Sequence, residues 1–361
     1  MCDRLLIVEF TTACGTPSTI ATEGIAMTRA LMHDARRGRF EVHAVVSESI
    51  ERRVTEGNAS VTTHPVRAGE NYLDMVDMVA PYMSHAFAVA PEFHGHLLSL
   101  SKLLERRGCT LLSQPSRAVE LASHKYRSLE RLSSLGIDTP KTQYFKAYLE
   151  DPAFPYPAVV KPVHGAGCMG VHVVNSATEL ATAARAASNV SGSTGEVIVQ
   201  EFIDGEPLSS SAIAHAGGCE LLGLNTQDIR LVPAGTGDST YAGGIAGISR
   251  PGASRRCHEI AMATREAFEL DGYFGVDLVL DGNNIPFVVE VNPRLTTPFI
   301  AHVHLVTRSL LRSMVNDAWD EPLIKPDTVC GYSIRPDRVP TITTGKNEEE
   351  VRLATGSAIR G

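Results

Sequence analysis

An acid, an amide and a guanidinium occupy every second position of Glu290-Val-Asn292-Pro-Arg294. They end a run that starts at Ile285. Together with the upstream run Gly275-Val-Asp277-Leu-Val-Leu280, that run flanks a polar turn, Asp281-Gly-Asn-Asn284. Two β-branched runs around a Gly/Asn turn predict a β-hairpin. Side chains two apart on a strand share a face, so Glu290, Asn292 and Arg294 point the same way. With a two-residue turn, paired positions sum to an odd number. Asp277 then lies opposite an even-numbered residue, on that same face and within cross-strand reach of Glu290. Two carboxylates and an amide oxygen there make a hard, oxygen-only cation site of the kind Mg²⁺ uses beside phosphates. The plainer alternative is a solvated face of an antiparallel hairpin, because acids usually lie outside.

A second cluster lies upstream. Gly165-Ala-Gly167-Cys-Met-Gly170 matches G-x-G-x-x-G letter for letter. A dinucleotide fingerprint needs a strand before it and a helix after it. Here Val171-His-Val-Val174 follows and reads as another strand. No acid closes a next strand about 20 residues on, where a ribose contact belongs. The segment is therefore read as a strand-turn-strand flap whose backbone amides close over phosphates, glycine permitting the close approach. The alternative is a surface hairpin with inert glycines. Lys161 ends the apolar strand Ala158-Val-Val-Lys161 just before these glycines, which favours a phosphate ligand over an edge-strand solubiliser. Lys125 is placed midway along a helix, where most lysines only solvate a face. Cys168 reads as a small flap residue with no nucleophilic part.

These residues need a frame to position them. The first third alternates strand-like runs (5–10, 41–46, 86–90, 109–112) with helical spacing at 23–36 and 93–107, which argues for an open α/β sheet. A helix from Pro115 to about Leu135 closes at Gly136 and Pro140, and a new unit starts there. Antiparallel strands follow at 210–215 and 221–225, then a Gly-rich loop over 234–247, a helix over 254–270, the hairpin, and a last helix over 302–316. The tail from Lys325 is polar and Gly/Thr-rich, with no role assigned.

At 361 residues the chain has room for two or three domains. A formal charge of −8 without a basic block argues against nucleic acid or an acidic membrane as partner. Seven scattered cysteines without CxxC spacing suggest neither a disulfide framework nor a zinc site. The apolar run at the N-terminus is too short for a signal peptide, and no segment could span a bilayer, so a cytoplasmic location is expected.

Taken in order, Ser123-His-Lys125-Tyr, the Lys161 strand, the 165–170 flap, Val199-Gln200-Glu201-Phe202-Ile203-Asp-Gly-Glu206, Val-Asp277 and Val-Glu290-Val-Asn292-Pro-Arg294 resemble the ATP-grasp superfamily over about residues 1 to 310. The resemblance implies an α/β and α+β chain. An open parallel α/β (pre-ATP-grasp) domain would span 1–117. Two α+β subdomains, 118–206 and 207–324, would clamp ATP, with 325–361 left as a tail. It implies that Lys125 and Lys161 contact nucleotide phosphates and that Gly165, Gly167 and Gly170 form the phosphate flap. Gln200, Glu201, Phe202 and Ile203 would present the adenine hinge, with Glu206 as candidate for the ribose hydroxyls. Asp277, Glu290 and Asn292 would hold Mg²⁺ (or Mn²⁺), and Arg294 would face an acyl phosphate. The hinge departs mildly from the family pattern, which has an acid where Gln200 stands.

A narrower likeness rests on Leu6-Ile-Val-Glu9-Phe, Glu23-Gly-Ile-Ala-Met27, the Gly243-Gly-Ile loop and Asn292-Pro-Arg294-Leu-Thr-Thr297. These are similar to the tyramine–glutamate ligases of methanofuran-type one-carbon metabolism. The likeness implies an amide between the γ-carboxyl of glutamate and an aromatic amine, either tyramine or a tyrosine-like compound. Glu9, Glu23, Tyr241, Thr296 and Thr297 are the candidate substrate-lining residues, and a homodimer is compatible with the family. Two alternatives stay open: activation of another carboxylate, such as another amino acid or bicarbonate, and a non-catalytic ATP-binding protein.

Overall fold

The computed structural model describes residues 3–15, 20–58, 60–146, 154–191, 195–319, 322–335 and 338–355. Its N-terminal layer is a five-stranded parallel sheet of β1 (Arg4–Glu9), β2 (Glu41–Ser47), β3 (Thr62–Val66), β4 (His85–Val89) and β5 (Thr110–Leu111), in the order β3-β2-β1-β4-β5. Helices α1 (Phe10–Cys14), α2 (Ala21–Arg37), α3 (Glu51–Thr55), α4 (Tyr72–Val79) and α5 (His96–Arg106) connect and cover it. Sequence reading found every strand but β3, whose Thr-Thr-His-Pro-Val is polar and carries a proline. Both features are tolerated because β3 is an edge strand. It also passed over α1, α3 and α4.

The expected helix from 115 to 135 is two helices, α6 (Ser116–Ala122) and α7 (Lys125–Ser134). His124 adopts an extended backbone between them, and its ring accepts a hydrogen bond from the Arg127 N–H, capping α7. Lys125 is therefore the first residue of a helix instead of a mid-helix surface lysine. The chain then forms a four-stranded antiparallel sheet, β6 (Thr142–Lys146), β7 (Ala158–Pro162), β8 (His172–Val174) and β9 (Glu196–Glu201), ordered β6-β9-β7-β8 and backed by α8 (Ala177–Ser191). The glycine segment joins β7 to β8, as the strand-turn-strand reading requires.

The third layer is a seven-stranded sheet ordered β16-β15-β10-β11-β14-β17-β18. It contains β10 (Gly205–His215), β11 (Gly218–Thr226), β14 (Gly243–Ile248), β15 (Gly272–Asp281), β16 (Pro286–Asn292), β17 (Val329–Arg335) and β18 (Arg338–Gly345). A separate ribbon pairs β12 (Ile229–Arg230) with β13 (Thr240–Tyr241). Helices α9 (Ser254–Phe268), α10 (Phe299–Leu305), α11 (Leu310–Asn316) and α12 (Glu348–Thr355) pack around the sheet. Three expectations are corrected here. The Gly-rich loop 234–247 contains β13 and most of β14. The last helix is split in two, because Val306 is extended and Ser309 caps α11 afresh.

The segment from Lys325, expected to be a tail, is built into the large sheet. The described part of 325–361 supplies β17, β18 and α12, and residues 336–337 and 356–361 lie outside the described residues. Close pairing of β14 with β17 needs glycine at Gly243, where φ is +117° and a Cβ would run into the Tyr332 carbonyl. One apolar cluster runs from Leu5 and Met32 through Phe299 and Leu310 to Tyr332, so the N-terminal domain and the large sheet share a core. Asp34 of α2 strengthens that junction. Its carboxylate accepts from the Leu310 and Leu311 N–H groups and the Ser309 hydroxyl, completing the cap of α11.

Candidate active site

The hairpin forms, but by a different route from the one its sequence suggests. Its loop holds three residues, 282–284, closed by the Asp281 N–H donating to the Ile285 carbonyl at 3.1 Å, with Asn284 left-handed at φ +63°. Near the loop, Leu280 pairs with Pro286 and Leu278 with Val288, a register that would set Asp277 opposite Val289. A β-bulge between Asp277 and Leu278 shifts the register so that Asp277 pairs with Glu290 and Gly275 with Asn292. The bulge, and not a two-residue turn, brings the two carboxylates to one face.

That face forms one wall of a cavity of about 560 Å³ between the small and large sheets. Asp277, Glu290, Asn292 and Arg294 line it, as do Lys125, Lys161, Gly165, Gly167, and Gln200 to Ile203; Glu23, Tyr241, Thr296 and Thr297 complete it. Three expected residues lie elsewhere. Glu9 is buried as the cap of α1, accepting from the Thr11 and Thr12 N–H groups at 3.0 and 2.8 Å. Gly170 packs against α8 at Ala187 and Val190. Pro207 and Ser209 of β10 face the cavity, so strand alternation turns Glu206 away. Glu206 instead takes two hydrogen bonds from Arg250, at 2.9 and 2.6 Å, and Arg250 also pairs with Glu348 of α12.

The electrostatics follow from burial. The Asp277 carboxyl is pushed up to about 6, first by burial and then by the like charge of Glu290. Asn292 donates to its Oδ2 at 3.0 Å and Gln227 to its Oδ1 at 3.1 Å. Lys125 bridges the flap to the hairpin, its Nζ lying 3.0 Å from the Gly165 carbonyl and 3.0 Å from Glu290 Oε1. Lys161 is only 9% exposed, and burial lowers its pKa while Glu290 pulls it back up. Among the described residues its Nζ makes no hydrogen bond or ion pair, so it is free to meet an anion. In the flap, Gly167 and Cys168 both have positive φ, at +63° and +62°, and the Met169 N–H returns to the Ala166 carbonyl at 3.3 Å. That is the dihedral pattern of a tight primed turn. Burial, with Glu290 and Asp277 nearby, pushes the Cys168 thiol up to about 12, which removes it as a nucleophile.

A divalent cation fits this chemistry. Burial and the like charge of Glu290 disfavour the charged Asp277 carboxylate, and both carboxyl groups offer hard oxygens. Among the described residues no group of three acid, histidine or cysteine side chains forms a full metal cage. Mg²⁺ suits such an incomplete set, because it usually keeps waters and substrate phosphate oxygens as ligands.

At the other end of the cavity, Glu23 accepts from the Thr297 hydroxyl, and burial raises its pKa. Tyr241 shares a 2.7 Å hydrogen bond with Tyr332 of β17, and burial raises both hydroxyls. Behind this end, His302 is fully buried and held by burial at about 3, its Nε2 3.1 Å from Asn225 Oδ1. An unfolded histidine takes up a proton near 6.5, whereas this one does not. Its contribution to stability is therefore full above pH 6.5 and is lost as pH falls towards 3. Urea titrations at pH 7.0 and 5.0 should show His302 contributing a loss of up to about 1.4 kcal/mol per pH unit below 6.5, so His302→Gln should reduce the fall, to which His124, lowered by burial to about 4, also contributes.

Two residues of the site escaped sequence reading. Gln227 has no motif around it. Glu92 sits just past the C-terminal end of β4, where ligand-binding groups of parallel sheets collect, and that rule was the available signal.

Residues 122–298 match the ATP-grasp domain family and residues 46–119 the pre ATP-grasp 3 domain family. The tyramine–L-glutamate ligase of Methanocaldococcus jannaschii is 28% identical over 215 residues, which are 60% of this chain and 57% of that protein. The chain thus aligns with little more than half the length of that relative. Among solved structures, an L-amino acid ligase from Bacillus licheniformis superposes with a TM-score of 0.65 at 19% identity, covering 92% of this chain and 79% of that one. The biotin carboxylase–β,γ-ATP complex from Campylobacter jejuni gives 0.69 at 14% identity, covering 91% and 75%. No helix among the described residues is long and apolar enough to cross a membrane.

Proposed function

Because this chain belongs to the ATP-grasp superfamily, we propose that it is an ATP-dependent carboxylate–amine ligase joining the γ-carboxyl of glutamate to an aromatic amine such as tyramine. The observation that carries this reading is the bulge-set pairing of Asp277 with Glu290, facing Lys161 and the glycine flap across one cavity. That arrangement neutralises and aligns phosphate oxygens, which is most of what phosphoryl transfer demands of a protein.

In this reading a carboxylate oxygen bonds to the γ-phosphorus of ATP as the bond to the ADP oxygen breaks. The amine nitrogen, in its neutral form, then bonds to the acyl carbon as the bond to phosphate breaks, and the proton it sheds to become an amide passes to water. Lys125 and Lys161 hold phosphate oxygens, the flap amides cover them, and Gln200 to Ile203 present backbone to the base. Asp277, Glu290 and Asn292 would hold Mg²⁺, which when bound supplies charge neutralisation at those oxygens. Arg294 faces the acyl phosphate, and Glu23, Tyr241, Thr296 and Thr297 bound the space left for the amine. The likeness to a tyramine–L-glutamate ligase supports the choice of substrates.

The test is ATP-dependent phosphate release against a panel of carboxylates crossed with amines, with hydroxylamine as a trap. Glutamate should yield a hydroxamate without amine and an amide with tyramine. Release driven by bicarbonate alone would reassign the carboxylate. No trapped product with any carboxylate would leave a nucleotide-binding protein without ligase activity.

A further inference from the structure

Glu92 of the N-terminal domain reaches the hairpin's arginine from 202 residues upstream. It is 7% exposed, and its Oε1 accepts from Arg294 Nε at 2.8 Å. Its other oxygen, Oε2, is buried without a hydrogen-bond partner. Among the described residues, then, this carboxylate gives its hydrogen bond and its ion pair to Arg294 alone, with His164 only within electrostatic range. The guanidinium is held on two further sides. Nη1 donates to the Leu295 carbonyl at 3.2 Å and Nη2 to Asn292 Oδ1 at 3.3 Å.

A buried ion pair is a poor device for stability, because desolvating both charges offsets their attraction. An oxygen left unpaired adds to that cost. What the pair does supply is orientation. A planar guanidinium gripped at Nε cannot rotate about its own axis, so its two Nη groups keep a fixed direction towards the hairpin and the cavity. Asn292 touches both Asp277 and Arg294, so the orientation of Arg294 is coupled to that of the carboxylate pair.

We propose that Glu92 is the positioning residue for Arg294, fixing the guanidinium so that the activated carboxyl is passed to the amine and not to water. The partitioning part of this inference rests on the ligase reading above. The orientation part does not.

The experiment uses the full chain with Glu92→Gln, which keeps size and an acceptor oxygen but removes the charge, and with Glu92→Asp. Three quantities are read: kcat and KM for ATP, phosphate released per amide formed, and the rate at which phenylglyoxal modifies Arg294, mapped by peptide mass. A misplaced catalytic group can cost about a hundredfold. Glu92→Gln should lower kcat by about tenfold to a hundredfold on that basis, with KM for ATP essentially unchanged and more than one phosphate released per amide. Glu92→Asp should recover part of the coupling, and Arg294 should react faster in Glu92→Gln than in the parent. Unchanged kcat with a ratio of one, or a loss of stability at unchanged ratio and unchanged Arg294 reactivity, overturns the proposal. If Glu92→Gln does not fold, Arg294→Lys must show the same excess phosphate release with Glu92 intact, or the proposal falls. If no ligase activity is found in the parent, the Arg294 modification rate alone decides the orientation claim.

Discussion

Glu290→Ala is expected to abolish ADP release while leaving the protein folded. Glu290 is the meeting point of three charges. It faces Asp277 across the hairpin, it forms the ion pair with Lys125, and it raises the pKa of Lys161 against the effect of burial. Removing it takes one of two carboxylates from the proposed cation site and leaves the Lys125 ammonium with only the Gly165 carbonyl. Loss of a single group that stabilises charge in the transition state typically costs about 10² to 10³ in kcat, and loss of the metal with it should carry the rate below detection. The side chain lies on a cavity wall and not in the apolar core, so thermal unfolding should stay cooperative and shift by only a few degrees. The check is a coupled ADP assay beside a circular-dichroism melt. Turnover at the parent rate in a folded Glu290→Ala protein would remove Asp277, Glu290 and Asn292 as the metal site.

The second large effect is on folding. Deleting residues 325–361, which read as a polar tail, should prevent the chain from reaching a stable native state. The segment adds two strands to the large sheet and buries Val329, Cys330, Tyr332 and Val351 almost completely. Fully burying a side chain of this size contributes about 1.5–3 kcal/mol, while whole domains are stable by only about 5–15 kcal/mol. Truncation would also strip β14 of β17 on one side, leaving a glycine-containing edge open to pairing with other chains. Arg250 would lose Glu348, and Tyr241 would lose the hydroxyl of Tyr332 at the Glu23 end of the cavity. The expected outcome is aggregated protein, or a soluble fraction without a cooperative urea transition. A truncated protein unfolding cooperatively at the parent midpoint would show the segment to be dispensable.

Some of the site was legible because its signals are local. Lys161 ends an apolar run beside glycines, and an alternating acid, amide and guanidinium on a β-branched strand share a face whatever surrounds them. The parallel N-terminal sheet was legible for the same reason, since buried strands appear as short apolar runs. Elements with mixed composition were not. The β3 strand is polar because it is an edge. The strand β17, Val-Cys-Gly-Tyr-Ser-Ile-Arg, has neither clean alternation nor a continuous apolar run, because neighbours cover it unevenly.

Amino-acid order by itself determined which side chains carry charge, which share a strand face, and where glycine permits a flap. These properties depend on backbone periodicity of two or on local sterics, and so they survive without a partner. Only the tertiary structure decided that a bulge at Asp277 aligns it with Glu290. Only the tertiary structure paired Glu206 with Arg250 away from the cavity, made Lys125 a helix's first residue bridging flap to hairpin, and set Glu92 behind Arg294. Each of these is an encounter between segments far apart in sequence or a one-residue shift of register. Such outcomes are set by how whole sheets pack and how buried charges find partners, energies that no window of neighbouring residues contains.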